Sequence, residues 1–261
     1  MLAKPFPVLH GVSVAIDEAE TLGLVGESGS GKTTLGRAVL GLAPVSAGRI
    51  TFAGQDITRA SRRERRRLSR DLQVVFQDPY TSLNPSLTVG DILAEPLGIQ
   101  GVTGQDARSR VRDLLDRVHM PADAMARLPR EFSGGQRRRI AIARGLALKP
   151  RLIVCDEPVS ALDLSTQARV LDLLLEIQLL SRIAYLFISH DLDVVRHMSH
   201  RVAVMYRGEI VEQGAATQVT AEPSHPYTQR LLLASPVNDP DRQAQRREAR
   251  RRLAASGAAA G

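Results

Sequence analysis

The sequence is poor in residues that several kinds of site require. Only one of its 261 residues is cysteine, which excludes an internal disulfide and a cluster held by several cysteines. It has no tryptophan and is only 3% aromatic, so few rings are present on which nucleic-acid bases could stack. It also lacks an uninterrupted run of about 18 apolar residues, and we expect no membrane-spanning helix. The first residues lack the apolar region of a secretory signal, so the reducing cytosol is the expected compartment.

Acidic residues are outnumbered by basic ones, and the formal net charge is +7. Much of the excess lies in two arginine-rich blocks, at residues 61–70 and 245–253. Blocks of this kind bind nucleic acid or anionic lipid in some proteins, but they are also typical of a solvated helix face. We favour the solvated face and expect no specific nucleic-acid partner.

Apolar patterning predicts that strands and helices alternate along the chain, which is 43% hydrophobic. Strands are predicted at residues 11–17, 21–26, 48–57, 72–77, 152–157 and 184–190, and a hairpin that turns at Arg207–Gly208 is predicted after them. Helices are predicted at residues 33–42, 61–71, 133–148, 165–180 and 191–199. Short buried strands that alternate with helices favour a mainly parallel sheet covered on both faces.

Residues 78–128 have a different character, because they are polar and interrupted by four prolines. Their pattern is otherwise helical, which predicts a helical insertion into the α/β core. From Ala215 onward the chain changes again, and about the last 15 residues are expected to be disordered.

A glycine-rich loop supplies the strongest chemical signal. It runs through Gly26, Glu27, Ser28, Gly29, Ser30, Gly31, Lys32, Thr33 and Thr34, between a predicted strand and a predicted helix. Glycines allow backbone N–H groups to converge on phosphate oxygens, and a helix N-terminus adds positive potential. Lys32 is expected to reach the β- and γ-phosphates, and Thr33 to offer its hydroxyl to Mg²⁺. The loop therefore predicts a site for the phosphates of a nucleotide.

Two carboxylates end the predicted strand at 152–157. Asp156 is placed to hold the magnesium shell, and Glu157 could polarise an attacking water as a general base. Other candidate ligands are weaker. His197 and His200 lie three residues apart, but no further ligands are evident, so no metal is expected there. Cys155 lies within the same apolar strand, and we expect it to be an inert residue of the core.

Four further motifs give the sequence its resemblance to a known family. Ser133, Gly134, Gly135 and Gln136 form the sequence SGGQ, preceded by Phe132 where leucine is commoner, and Ser160–Asp163 reads SALD. With Gln77 and His190, these motifs resemble the signature, D-loop, Q-loop and switch histidine of ATP-binding subunits of ABC transporters. The resemblance covers about residues 8–235. A closer resemblance, to the oligopeptide, dipeptide and nickel importers, is carried by QDPYTSLNP (77–85), DEPVSALD (156–163) and above all by His225–Thr228, which reads HPYT.

The resemblance implies a P-loop NTPase core with an N-terminal antiparallel β portion and a helical subdomain. The core would comprise residues 1–77 and 137–214, the signature subdomain residues 78–136, and a C-terminal extension residues 215–261. Family members usually begin with an additional strand whose aromatic residue stacks on adenine. This sequence lacks that segment, and Phe6, the nearest aromatic residue, lies too close to the predicted strand to match it well. Two alternatives follow: the start of the chain is assigned too late, or adenine is held less firmly.

The resemblance also implies how the protein works. Two ATP-binding subunits, identical or different, would pack head to tail, so that the signature turn of one completes the nucleotide site of the other. Gln77 would sense Mg²⁺ and the γ-phosphate, Glu157 would activate water, His190 would sense the γ-phosphate, and Asp163 would lie at the interface. The expected partners are a separate permease at the cytoplasmic face of the membrane and, indirectly, a substrate-binding protein. The expected cargo is peptides or nickel.

Alternatives remain at this point. A related ATPase could act outside transport, in phosphonate metabolism or on nucleic acid. A nucleotide-binding regulator without catalysis would lack Lys32 or Glu157, and both residues are present.

Overall fold

A computed structural model describes residues 7–78 and 82–234. Its strands are β1 Thr21–Val25, β2 Thr51–Phe52, β3 Gln55–Asp56, β4 Leu72–Val75, β5 Leu152–Asp156, β6 Ala184–Ile188, β7 Arg201–Tyr206 and β8 Glu209–Ala215. Its α-helices are α1 Lys32–Val39, α2 Arg62–Leu68, α3 Val89–Ile99, α4 Gly104–Arg117, α5 Gly134–Leu146, α6 Leu164–Ser181, α7 Leu192–Met198, α8 Ala216–Ala221 and α9 Pro226–Ala234. Two short 3₁₀ helices, Ala122–Ala126 and Pro129–Glu131, precede α5.

The main sheet has the strand order β4-β5-β6-β1-β7-β8. All neighbouring pairs are parallel except β7 and β8, which form the predicted hairpin. Both faces of the sheet are covered, so its central strands are apolar throughout: on β6, Tyr185 and Phe187 pack into one core, and Leu186 and Ile188 pack into the other. The predicted mainly parallel α/β fold is confirmed.

The order of the strands places the candidate site. Strands β4, β5, β6 and β1 are adjacent and parallel, so their carboxyl ends meet at one edge of the sheet. Ligands of open α/β sheets bind at that edge. Asp156 is the last residue of β5, and the segments that follow the four strands carry Gln77, Glu157, His190 and the glycine-rich loop. Residues distant in sequence are therefore brought together by topology alone.

Helices occupy the described part of the segment between β4 and β5, as predicted. They pack together through apolar side chains such as Leu93 of α3, Val111 of α4 and Ile140 of α5, which belong to the same core as β6. The boundaries that divide the chain into a core, a signature subdomain and an extension stay predictions.

The strand predicted at residues 11–17 is absent. Apart from the β7–β8 hairpin, the antiparallel pairing among the described residues is the two-residue ladder between β2 and β3. The alternation behind that prediction is nevertheless real. Val12, Val14 and Ile16 are half-buried against one core, whereas the residues between them are exposed. The segment has the side-chain alternation of a strand without a ladder partner among the described residues.

Three further expectations lie outside the described residues: the role of Phe6, the disorder of the C-terminal end, and the basic block at 245–253. Within residues 7–78 and 82–234, we find no helix of the length and apolarity that a bilayer crossing requires.

Candidate nucleotide site

The glycine-rich loop connects β1 to α1 at the edge of the sheet described above. Gly26 has φ +152°, and an added Cβ would collide with the carbonyl oxygen of Met205 on β7, so this position requires glycine. At the other end of the loop, the Ser30 carbonyl oxygen accepts a hydrogen bond from Gly208 N at 2.9 Å. The β7–β8 hairpin therefore contacts the loop at two positions, Gly26 and Ser30.

Lys32 is 6% exposed and folds back over the loop. Its Nζ donates to the carbonyl oxygens of Gly26 at 2.7 Å and Glu27 at 2.9 Å. Burial lowers the pKa of Lys32, and the nearby carboxylates of Glu157, Asp156 and Glu27 partly oppose that effect. An ammonium has three protons, of which these bonds use two. The loop thus holds a buried positive charge where the phosphates of a nucleotide would lie.

Thr33 and Asp156 form a pair of oxygen donors. The Thr33 hydroxyl donates to Asp156 Oδ1 at 3.1 Å. Burial raises the pKa of the Asp156 carboxyl, and the hydrogen bond from Thr33 partly opposes the rise. Hydroxyl and carboxylate oxygens are the hard donors that Mg²⁺ prefers, so this pair fits the ion.

Glu157 lies between two polar side chains. Its Oε2 accepts a hydrogen bond from Gln77 Nε2 at 3.0 Å, and its Oε1 lies 3.2 Å from His190 Nδ1. Its backbone has φ +48°, a left-handed conformation that is uncommon for a non-glycine residue and recurs at functional sites. The backbone N–H of Glu157 donates to the Ile188 carbonyl oxygen at 2.9 Å, which fixes the strained residue to the end of β6. The structure therefore brings together the three residues predicted to be catalytic.

The predicted signature turn lies at the start of α5. Ser133 and Gln136 form a reciprocal capping box, in which Ser133 Oγ accepts from Gln136 N at 3.3 Å and Gln136 Oε1 accepts from Ser133 N at 2.9 Å. Gly135 packs against Thr166 on α6, where an added Cβ would collide with the Thr166 methyl. The signature turn thus lies beside the start of α6 and presents a helix N-terminus, which attracts anions.

Asp163 caps that neighbouring helix. Its Oδ1 accepts from Ser165 Oγ at 2.7 Å and from Thr166 N at 3.0 Å, and these bonds hold the pKa of the carboxyl below its usual range. The signature turn and the predicted D-loop are therefore adjacent through the contact of Gly135 with Thr166. The remaining loop positions, Ser28, Gly29, Ser30 and Thr34, lie within the loop or the first turn of α1.

The two histidines with metal-like spacing have other contacts. His200 Nδ1 accepts a hydrogen bond from Thr21 N at 3.0 Å, and His197 Nε2 lies 3.7 Å from Asp172 Oδ1. Among the described residues there is no cluster of three or more side chains that could hold a metal ion. Cys155 is fully buried, and burial raises the pKa of its thiol to about 12, as expected for an inert core residue.

Sequence reasoning missed Arg138, which is 2% exposed. Its guanidinium donates to the carbonyl oxygens of Phe76 at 2.7 Å and Gln77 at 2.6 Å. A signal was present, because Arg138 occupies the same helix face as the buried residues Ala141, Ile142 and Gly145. The arginine links the helix that carries the signature turn to the backbone of Gln77.

Sequence reasoning also treated Tyr227 only as part of a family marker. The Tyr227 hydroxyl accepts a hydrogen bond from Glu27 N at 2.9 Å, so the HPYT segment contacts the glycine-rich loop directly.

Comparison with known proteins agrees with this geometry. A family model described as ABC transporter matches residues 9–160, and one described as the C-terminal region of oligopeptide/dipeptide transporters matches residues 211–259. This chain belongs to the ABC transporter family. It is therefore an ATP-binding subunit with an ATPase activity that is coupled to transport, and the matches favour this function over the alternatives outside transport.

Two relatives illustrate the similarity. The oligopeptide transport ATP-binding protein OppF of Lactococcus lactis subsp. lactis (strain IL1403) is 48% identical over 243 residues, which cover 93% of this chain and 76% of that protein. The glutathione import ATP-binding protein GsiA of Escherichia coli (strain K12) is 53% identical over 233 residues, which cover 89% of this chain and 37% of that protein.

Solved structures of ABC ATPases share the fold. The protein cbiO1 from Clostridium perfringens, part of the transporter complex cbiONQ, has a TM-score of 0.75 and 30% identity over 82% of this chain and 84% of its own. The ATP-binding cassette MJ0796, solved as a dimer with ADP and Pi in a post-hydrolysis state, has a TM-score of 0.74 and 27% identity over 83% of this chain and 94% of its own.

Proposed function

We propose that this ABC ATPase hydrolyses ATP with Mg²⁺ at the edge of the sheet where the glycine-rich loop and Glu157 meet. The observation that carries the proposal is the position of Glu157. Its carboxylate is held by Gln77 on one oxygen and lies beside His190 on the other. Asp156 directly precedes it on β5 and is hydrogen-bonded to Thr33 of α1. A general base beside a metal-binding pair and a phosphate-binding loop suits hydrolysis of a phosphoanhydride.

Each residue then has a proposed role, drawn from its contacts together with the family resemblance. The loop N–H groups and Lys32 bind the phosphates, Glu157 takes the proton of the attacking water, Gln77 orients Glu157 and the magnesium shell, and His190 contacts the γ-phosphate. Thr33, Asp156 and Gln77 would hold Mg²⁺, which, when bound, neutralises charge on the phosphate oxygens.

We infer that the signature residues Ser133, Gly134, Gly135 and Gln136 complete the site of a second subunit. Ser133 and Gln136 bond each other at the helix start, Gly135 packs against Thr166 on α6, and Asp163 caps that same helix. Leu164, directly after Asp163, is 72% exposed, which suits a surface that a partner covers. The dimeric arrangement reported for MJ0796 supports this proposal.

We also propose a permease as the membrane partner, at the cytoplasmic face. The helical segment contains a cavity of about 530 Å³ between α3 and α4, whose lining includes Asp91, Glu95, Arg108 and Met125. This mixed apolar and charged groove suits a short helix from a separate membrane protein. The names of OppF and GsiA refer to oligopeptide and glutathione, so peptides are the proposed cargo and nickel the next.

The first experiment is ATP-driven association of the Glu157→Gln variant, measured by size-exclusion chromatography with light scattering. The variant should bind Mg-ATP without hydrolysing it, and should therefore hold a closed dimer that the wild type releases. A variant that also carries Lys32→Ala is the control, because it should neither bind ATP nor associate.

The outcomes separate the parts of the proposal. A homodimer that forms only with Mg-ATP supports the shared site. Tight ATP binding by a monomer indicates a different ATP-binding subunit as partner. Absence of ATP binding by the wild type and by Glu157→Gln contradicts the proposed site.

A further inference from the structure

Tyr227 joins the HPYT segment to the glycine-rich loop. It lies in the first turn of α9, is 3% exposed, and its hydroxyl accepts a hydrogen bond from Glu27 N at 2.9 Å. Its ring packs on that of Tyr206 at the end of β7, with centroids 4.2 Å apart. A residue 200 positions along the chain thus contacts the second residue of the loop.

The start of α9 is itself anchored to the sheet. Glu212 on β8 accepts hydrogen bonds from Ser224 N at 2.7 Å, Ser224 Oγ at 2.9 Å and His225 N at 3.1 Å. His225 Nδ1 in turn accepts from Tyr227 N at 3.1 Å. Tyr227 is therefore held from its backbone as well as from its ring, and its hydroxyl has a fixed position relative to the loop.

The contact reaches Lys32 through one residue. The backbone N–H of Glu27 is held by Tyr227, and the carbonyl oxygen of the same residue accepts from Lys32 Nζ at 2.9 Å. Both polar backbone groups of Glu27 are thus engaged, one by the C-terminal segment and the other by the phosphate-binding lysine. A change in the hydrogen bond from Glu27 N to Tyr227 therefore alters the freedom of Glu27, the residue whose carbonyl oxygen bonds Lys32.

We propose that Tyr227 is a positioning residue for nucleotide binding, through which the HPYT segment holds the glycine-rich loop in its phosphate-binding conformation. This inference rests on the proposed nucleotide site. It gives the HPYT segment a physical role in the site rather than only a position in the fold.

The contact also couples the two segments thermodynamically. If docking of α9 favours the loop conformation that binds nucleotide, then nucleotide binding must favour docking of α9 by the same factor. Nucleotide binding would then also favour the docked position of the α9 residues that follow Tyr227.

The test compares Tyr227→Phe with Tyr185→Phe in the full chain. The first change removes the hydroxyl and keeps the ring that packs on Tyr206. The control, Tyr185→Phe, also removes one buried hydroxyl, which donates to the Leu174 carbonyl oxygen at 3.1 Å. Tyr185 lies near the start of β6, at the edge of the sheet opposite the glycine-rich loop. Dissociation constants for Mg-ADP, the amide exchange rate of Glu27, and KM and kcat for ATP are measured for both.

Tyr227→Phe should weaken Mg-ADP binding about three- to tenfold, the range expected for one hydrogen bond. It should also speed exchange of the Glu27 amide and raise KM with kcat within about twofold, because binding rather than the chemical step is affected. Tyr185→Phe should leave the Mg-ADP dissociation constant, the exchange rate of the Glu27 amide, KM and kcat close to their wild-type values. Unchanged binding in Tyr227→Phe, or equal weakening in both variants, would overturn the inference.

A measurement on the wild type keeps the test decisive if Tyr227→Phe does not fold. Mg-ADP should slow amide exchange in Pro226–Ala234 more than in Gly104–Arg117, which lies in the helical segment. Equal effects on both helices would overturn the inference. A wild type that binds no Mg-ADP would contradict the proposed nucleotide site itself, and the role of Tyr227 with it.

Discussion

The side-chain amide of Gln77 donates a hydrogen bond to Glu157 Oε2 over 3.0 Å, and so joins the segment after β4 to the end of β5. The two residues are 80 positions apart in sequence. This bond uses one oxygen of the carboxylate, and His190 lies beside the other. These two contacts give the Glu157 carboxylate a defined orientation, which suits the role of general base proposed for it.

Replacement of Gln77 by alanine should reduce turnover more than binding. Loss of the amide frees Glu157 and removes a residue of the proposed magnesium shell, and a change of this kind typically lowers activity about 10- to 100-fold. The dissociation constant for ATP should change less. Steady-state ATPase assays and nucleotide titration check this. Gln73→Ala is the control, because Gln73 lies on β4, four residues before Gln77, and bonds the Ser69 carbonyl oxygen instead; equal losses in both variants would contradict a specific role for Gln77.

Asp156→Asn should stabilise the nucleotide-free protein at neutral pH. Burial raises the pKa of the Asp156 carboxyl, so the folded state binds its proton more tightly than the unfolded state does. Stability is therefore lost as the pH rises through the raised pKa, and above that pKa the ionised carboxylate carries the full penalty. Asparagine removes the charge and should raise the melting temperature by about 1–3 °C.

The same variant should lose Mg²⁺-dependent nucleotide binding. Thermal unfolding over a range of pH tests the stability effect, which should shrink as the pH falls toward the ordinary carboxyl pKa of about 4. Asp163→Ala is a control of opposite sign, because hydrogen bonds from Ser165 and Thr166 hold the pKa of that carboxyl low and its loss should destabilise the protein. A lower melting temperature for Asp156→Asn would show that the Thr33 bond outweighs burial.

Arg138→Lys should lower both stability and turnover. Lysine is a point charge and cannot reproduce the fork that engages the carbonyl oxygens of Phe76 and Gln77, so about 2 kcal/mol of folding free energy should be lost. Turnover per folded molecule should fall about tenfold because Gln77 is no longer fixed. Denaturant unfolding and ATPase assays measure the two effects.

The control for Arg138 is its neighbour on the same helix. Arg139 makes an exposed hydrogen bond to the His119 carbonyl oxygen at 3.3 Å, so Arg139→Lys should change little. Reduced stability with unchanged turnover in Arg138→Lys would assign the arginine to packing alone.

The place of Asp156 and Glu157 followed from the sequence, because both lie at the end of a short apolar strand and parallel strands place their carboxyl ends at one edge. Gln77 and His190 were predicted through the family resemblance, and the strand order places them at the same edge. Strand prediction at residues 11–17 failed for a physical reason, since a strand also needs a ladder partner and alternation specifies only which side chains are buried.

The contacts of Arg138 and Tyr227 could not be predicted for a related reason. Arg138 bonds a carbonyl oxygen 61 positions away, and Tyr227 an N–H 200 positions away, and both partners are backbone groups. Backbone groups are the same at every residue, so a sequence carries no mark of which one a side chain will reach. The helix face of Arg138 indicated burial, but only the packed structure identifies the partner.

Gly135→Ala should separate the packing role of the signature turn from its role toward a second subunit. An added Cβ would collide with the methyl of Thr166, so the melting temperature should fall, with a loss of about 1–3 kcal/mol. Gly134→Ala is the control, because its Cβ would lie 3.9 Å from Leu162 Cδ2, an ordinary contact. Thr166→Ser removes the methyl, so the double variant Gly135→Ala/Thr166→Ser should regain the lost stability.

ATP-driven association gives the second measurement, made with these changes in the Glu157→Gln chain. If the backbone at Gly135 must approach a phosphate held by the partner, the double variant should unfold at the wild-type temperature and still associate poorly with ATP present. Alanine at this position still carries its Cβ once the collision with Thr166 is relieved, and a Cβ limits how closely the backbone can approach a ligand. Recovery of both stability and association would instead show that Gly135 is needed only where α5 meets α6.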